Sequence, residues 1–262
     1  MQTISMFGPM VATGVDLTEI DAPPRRVRAI LAMLLLEPRR SVLRQRIGDE
    51  LWGDRPPPSA AGNLRNHLAT LRQWLNVRLR LAPQLTTQGE VVSLRLSADV
   101  GFDLDEFRTA LDAGRNARGV DPHEAERCLD RAIGVRRGRP FQDIPCGPVL
   151  SATGVLLDSL WQAAVEEHAG LLLWLGRHEQ ARERLQFFVA EHPTRERAWT
   201  VLMAACQASA DTAGGLAAYR AARAALNDEL GVEPGAELQA AHRSLLRREP
   251  IELPWQPMDA PV

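Results

Sequence analysis

Amides and guanidinium groups at helical spacing carry the most evident chemistry in this sequence. Leucines recur at 64, 68, 71 and 75, the i, i+4, i+7, i+11 spacing of a narrow buried helical stripe. At roughly 100° per residue, the side opposite that stripe presents Asn66, Ala69, Thr70 and Gln73. Arg65 and Arg72, seven apart, fall together on one flank, and Asn63, His67 and Trp74 on the other. Asn and Gln pair bidentately with adenine edges in the major groove, and Arg with guanine or phosphate. The face therefore has the groups that read duplex DNA. The plain alternative is the solvated face of an amphipathic helix, which also turns polar groups outward. Arg39, Arg40, Arg44 and Arg46 gather around the start of the preceding helix, a usual place for clamping phosphates; a solvated charge run fits them equally. Further on, Thr86, Thr87, Gln88 and Arg95 can meet the backbone or minor groove, with Glu90 opposing phosphate contact.

The order of elements around these residues favours the DNA reading. Thr3 to Phe7 alternates and meets Gly8-Pro9, a strand and turn, and a second β segment covers 10–20, broken near Gly14. Val27, Ile30, Leu31, Leu34 and Leu35 form one helical stripe that Pro38 ends. Ser41 opens a second helix with Leu43, Ile47 and Leu51 at four-residue intervals. After the break at Trp52 to Pro58, Ser59 caps the third. Residues 84–96 read as a β-hairpin with Val92, Leu94 and Leu96 on one face. Strands, three short helices and a hairpin make a winged helix-turn-helix over residues 1–98.

From Gly101 the pattern is helical throughout, with segments near 103–115, 121–137, 150–175, 178–191, 194–209, 213–229 and 235–248. Two helix-turn-helix units, stopped by Pro193 and Pro234, share a small-residue and aromatic pattern that is tetratricopeptide-like. The expected fold is thus mainly α: a winged helix-turn-helix (α+β), then an all-α tetratricopeptide-like domain over 99–249. The tail 250–262, with four prolines in 13 residues, is expected to be disordered.

Composition agrees. All 31 basic residues other than histidine are arginine, which excludes every lysine chemistry, a P-loop included. Residues 1–98 hold 13 Arg against 8 acids and residues 99–262 hold 18 Arg against 25 acids. A polyanion-binding module joined to an acidic partner domain fits that asymmetry. Nothing approaches the roughly 18 consecutive apolar residues of a membrane span, and no signal peptide is evident, which leaves the cytoplasm as the expected compartment. Cys128, Cys146 and Cys206 lack the spacing of a zinc site or a disulfide framework, and read as buried thiols. No nucleophile elbow, zinc-hydrolase helix or glycine-rich nucleotide loop is present, so neither an enzyme nor a cofactor is expected. The six histidines are scattered; His168 and His178 can neighbour one another across a helix pair, without a third ligand.

Three stretches carry a resemblance. Leu51-Trp52-Gly53-Asp54-Arg55-Pro56-Pro57-Pro58-Ser59-Ala60, with Asn63 to Arg72, resembles the DNA-binding domain of the Streptomyces antibiotic regulatory protein family. Glu191-His192-Pro193-Thr194-Arg195-Glu196-Arg197-Ala198-Trp199 resembles a marker of that family's bacterial transcriptional activator domain. So does Ala218-Tyr219-Arg220-Ala221-Ala222-Arg223 continuing into Leu230-Gly231-Val232-Glu233-Pro234-Gly235. The resemblance implies an OmpR-type winged helix and a helical activator domain, acting as a homodimer on direct repeats in double-stranded DNA. It also implies recruitment of RNA polymerase at antibiotic-biosynthesis genes. Among such proteins the chain resembles the small stand-alone members. It departs from them at Thr70 and Gln73, where further arginines are common, and at the wing turn Thr87-Gln88-Gly89-Glu90. Each lost phosphate contact removes about one unit of salt dependence. The candidate DNA-contacting residues are Arg65, Asn66, Thr70, Arg72, Gln73, Arg44, Arg40 and Arg95. The competing reading is a tetratricopeptide-like scaffold without strong DNA binding; a third is a ligand-gated regulator whose groove Trp161, Trp174 and Trp199 line.

Overall fold

The computed structural model describes residues 2–253 apart from 15, 17, 79–83 and 98. Its elements run β1 (Gln2–Ser5), β2 (Val11–Thr13), β3 (Glu19–Ile20), α1 (Arg25–Leu36), β4 (Ser41–Leu43), α2 (Arg44–Trp52) and α3 (Ala60–Val77). There follow β5 (Gln84–Gln88), β6 (Val91–Arg95), β7 (Val100–Phe102), α4 (Asp103–Ala117), α5 (Pro122–Gly134) and α6 (Pro148–Trp174). The last four are α7 (His178–Glu191), α8 (Glu196–Ala208), α9 (Thr212–Leu230) and α10 (Ala236–Arg247). The fold is mainly helical: a winged helix-turn-helix followed by a tetratricopeptide-like helical array. Among the described residues no helix is long and apolar enough to cross a membrane.

Two compact units divide the chain, one of Met1–Thr109 with Ala132–Trp161, the other of Ala110–Arg131 with Gln162–Val262. In the first, a four-stranded sheet has the order β3-β2-β1-β7, with β1 antiparallel to β2 and parallel to β7. Alternation in β1 buries Ile4, and beyond it Phe7 meets Phe107 edge to face at 5.0 Å. The expected stripes are buried as well: Val27, Ile30, Leu31, Leu34 and Leu35 of α1, and Leu64, Leu68, Leu71 and Leu75 of α3. The wing β5-β6 joins β4 in an antiparallel sheet of order β4-β6-β5.

Two strands depart from the sequence reading. Ser41 does not open a helix: Ser41–Leu43 forms β4, with Ser41 opposite Ser93 and Leu43 opposite Val91. The four-residue spacing misled because Leu43 is 53% exposed while Ile47 alone of that set is buried. The second is β7, expected as non-strand; three residues are too few to show alternation, and its partner β1 lies almost a hundred residues upstream.

Residues 132–161 group with the N-terminal unit, whereas the sequence reading kept all of 99–249 together. Backbone chemistry explains the grouping. Phe7 O accepts from Arg137 N at 2.8 Å and Met6 O from Phe141 N at 2.9 Å. Asp103 Oδ2 accepts from the amides of Met6 and Phe7, both at 2.8 Å; burial pushes this carboxyl up although those amides favour its charge. Glu50, 5% exposed, accepts from Gly147 N at 2.6 Å, Val149 N at 2.8 Å and Leu150 N at 3.2 Å. It thereby satisfies the orphan amides at the start of α6. A Cβ at Gly147 would collide with the Glu50 carbonyl, so this approach requires glycine. Arg28 also pairs with Asp143.

In the second unit α8 packs against α7, α9 and α10. Asp211 caps α9 by accepting from Gly214 N at 2.8 Å, and Gly231, in the left-handed region at φ 68°, closes its other end. Tyr219 and His242 stack with centroids 3.8 Å apart, joining α9 to α10. Within the expected tail, residues 250–253 are described: Ile251 and Leu253 are buried, and Ile251 N donates to Gln207. The remaining tail residues, 254–262, lie outside the described residues. Cys128 and Cys206 are buried as expected, but Cys146 is exposed.

Candidate nucleic-acid interface

Because the leucine stripe of α3 is buried, the opposite face is held outward. Arg65, Asn66 and Gln73 are exposed there and Thr70 is half-buried. The Thr70 hydroxyl donates to Asn66 O at 3.0 Å, so its proton is engaged and its lone pairs remain as acceptors. Arg65 holds only a long contact from Nε to Ala61 O, 3.4 Å. The structure thus places Arg65, Asn66, Thr70 and Gln73 on one helical surface.

The remaining candidates are more engaged. Arg72 donates from Nε and Nη2 to Leu85 O, at 3.3 and 3.0 Å, tying α3 to the first wing strand. Arg44 is half-buried at the start of α2, and its amide donates to Glu90 O at 2.8 Å, fixing the wing turn from its backbone. Arg40 has φ 49°, its carbonyl accepts from Leu94 N at 2.8 Å, and its guanidinium lies 3.6 Å from Asp105. Arg95 is exposed on β6, in register with Gln84. Arg46 is paired with Glu37.

Trp74, expected on the flank of the reading face, is instead 7% exposed, and its indole N–H donates to Asp21 O at 2.7 Å. Burial, reinforced by Arg26, holds His67 below the usual histidine range. Sequence reasoning missed the anchors Glu50 and Asp103, because isolated acids give no periodic signal.

In the second unit His168, whose side chain is 2% exposed, does not pair with His178. Its Nε2 lies 3.3 Å from Glu126 and 3.9 Å from Asp130. Arg177 reaches Glu126 at 2.9 Å and Arg184 reaches Asp130 at 2.8 Å. Burial, with Arg184 beside it, lowers the imidazole to about 4 against the pull of the two carboxylates. Trp199 is packed rather than lining a groove, its indole N–H bound to Pro193 O at 2.8 Å.

Residues 102–246 match the bacterial transcriptional activator domain, more than half of the chain. The regulatory protein DnrI of Streptomyces peucetius is 30% identical over 259 residues, covering 94% of this chain and 93% of DnrI. The chain belongs to the Streptomyces antibiotic regulatory protein family. This is a family of transcriptional regulators rather than enzymes. The transcriptional regulator RedD of Streptomyces coelicolor is also 30% identical, over 86% of this chain and 65% of RedD. The chain spans 64% of the length of EmbR from Mycobacterium tuberculosis. A solved structure of that protein, in complex with a low affinity phosphopeptide, superposes with TM-score 0.83 at 27% identity, over 96% of this chain and 66% of EmbR.

The markers that resemble this family hold its helices together. Arg195 grips the fully buried carboxylate of Glu166 through two bonds, at 2.8 and 2.9 Å. Glu196 accepts from Gly235 N at 2.6 Å, joining the first marker to the second. Arg223 binds Glu233 through two bonds, at 2.8 and 2.9 Å.

Proposed function

We propose that the chain is a sequence-specific, double-stranded-DNA-binding transcriptional regulator that recruits RNA polymerase at promoters bearing direct repeats. It acts in the cytoplasm as a homodimer, reading DNA through residues 1–98 and activating through residues 99–249. The observation that carries this reading is the outward face of α3, where Asn66 and Gln73 stand exposed beside Arg65 while the opposite stripe is buried. Asn66 and Gln73 address base edges, and Thr70 accepts from a base amino group. Arg65, Arg44 and Arg95 meet phosphates, and Arg40 joins them where DNA competes with Asp105. Arg72 holds the wing against α3. Membership of the Streptomyces antibiotic regulatory protein family supports a biosynthetic gene cluster as target.

Selection of bound duplexes from random DNA, followed by fluorescence anisotropy from about 50 to 200 mM salt, tests the proposal. The expected result is an enriched repeated site, with affinity falling steeply as salt rises. Replacement of Arg65 by Ala should reduce the slope of log affinity against log salt by about one unit. No enriched site, or binding indifferent to salt, would favour the scaffold reading.

A further inference from the structure

Gln207, one residue before the end of α8, addresses the chain's own C-terminal segment as it would a bound peptide. Its side-chain amide uses both of its ends. Nε2 donates to Glu249 O at 2.8 Å, and Oε1 accepts from Ile251 N at 3.0 Å. Pairing one primary amide with two backbone groups flanking Pro250 fixes the register of the segment. Burial alternates along it: Pro250 exposed, Ile251 6% exposed, Glu252 exposed, Leu253 6% exposed. That is the period of extended backbone, one side turned into the protein and the other to water. Backbone bonds giving affinity and pockets for alternate side chains giving specificity is the way extended peptides are read.

Among the described residues, a cleft of about 570 Å³ lies beside Ile251 and Leu253, lined also by Leu173, Ala204, Ala208 and Leu245. Apolar wall that faces water is stabilised when it is covered, so a segment that covers more of it has something to gain there.

We propose that this groove is a peptide-recognition site that residues 249–253 occupy in cis. Its partner is an extended segment with a proline followed by apolar residues at alternate positions, which displaces the chain's own residues. Occupation in cis sets the threshold, because apparent affinity in trans is reduced by the fraction of chains whose groove is open.

The test uses a labelled hexapeptide, Arg-Glu-Pro-Ile-Glu-Leu, copying residues 248–253, with the full chain and with a full-chain Ile251→Ser, Leu253→Ser variant. Fluorescence anisotropy should show the variant binding at least about tenfold more tightly than the parent. Adding Gln207→Leu to the variant should remove that gain. A folded variant, judged by circular dichroism, that ignores the peptide overturns the site. Equal binding by parent and variant overturns the cis occupancy. A concentration-dependent dimer of the parent, abolished in the variant, would show exchange between two copies and overturn it too. Should the variant not fold, hydrogen exchange on the parent decides: excess peptide should accelerate exchange at the Ile251 amide, and an unchanged rate overturns the proposal.

Discussion

The outward face of α3 and the marker segments of the helical unit use the same residue types for opposite ends. On α3 an arginine and two amides stand exposed, with the Arg65 guanidinium holding only a long contact to its own helix. In the helical unit Arg195 and Arg223 are each spent on a carboxylate, and Glu196 on a backbone amide. A motif that closes on itself specifies packing. A face that closes on nothing internal is available to a partner. The activator-domain segments that resemble the family are therefore structural, whereas the residues proposed to read DNA stand open on α3.

That contrast is open to breaking at its strongest tie. Glu166 is fully buried, faced by Arg195 with two bonds and by Arg197 at 3.9 Å. Glu166→Ala leaves guanidinium groups without the charge that compensates them, and should cost about 3 kcal/mol, the low end for breaking a buried pair because Arg195 is itself part-exposed. Urea unfolding with helical circular dichroism as readout checks it. A loss below about 0.5 kcal/mol, the size of an ordinary surface substitution, would mean that the marker is not structural.

A second effect, of up to about 3 kcal/mol, comes from His168. In the folded chain its pKa is lowered to about 4, from the ordinary histidine value of 6.5, so the unfolded chain binds the proton more readily between those values. The stability it contributes is complete above pH 6.5 and is lost as pH falls toward 4. Glu126 and Asp130 on α5, Arg177 just before α7, and Glu183 and Arg184 on α7 face the same cleft. His168→Leu should flatten the dependence of unfolding free energy on pH between about 4 and 6.5. An unchanged slope would assign the acid sensitivity to the neighbouring carboxylates instead.

What was legible in the sequence follows from the range of the interactions. The stripes Val27 to Leu35 and Leu64 to Leu75 are local and periodic, and both are buried as read. Strand β7 escaped notice because its partner is β1, and Ser41–Leu43 because its pairing with β6 overrides a helical spacing. Glu50 and Asp103 act on amides about a hundred residues away, beyond any spacing rule. On the candidate face the wheel identified which side of α3 points out. It placed Trp74 on the flank, where the structure gives its ring to the core and its N–H to Asp21. Nor could it foresee that Arg72 is held by Leu85 and Arg40 by Asp105, since both partners come from other elements.

The smallest effect is the most specific one. Asn66 is exposed, and its carbonyl accepts from Thr70 while no packing depends on its amide, so Asn66→Ala should leave unfolding unchanged within about 0.5 kcal/mol. In DNA binding the same change should remove about 1–3 kcal/mol of discrimination at one base pair and leave the salt slope intact. Arg72→Ala should behave differently. Freeing Leu85 O loosens the wing, so affinity should fall for every duplex alike, with no relaxed position. Both variants are compared by anisotropy against the selected site and single-base-pair variants of it. If Arg72→Ala relaxes one position and Asn66→Ala weakens all, the roles are exchanged, and the arginine reaches a base despite its bond to the wing. If neither changes binding, DNA meets another surface, and the open face of α3 is a solvated one.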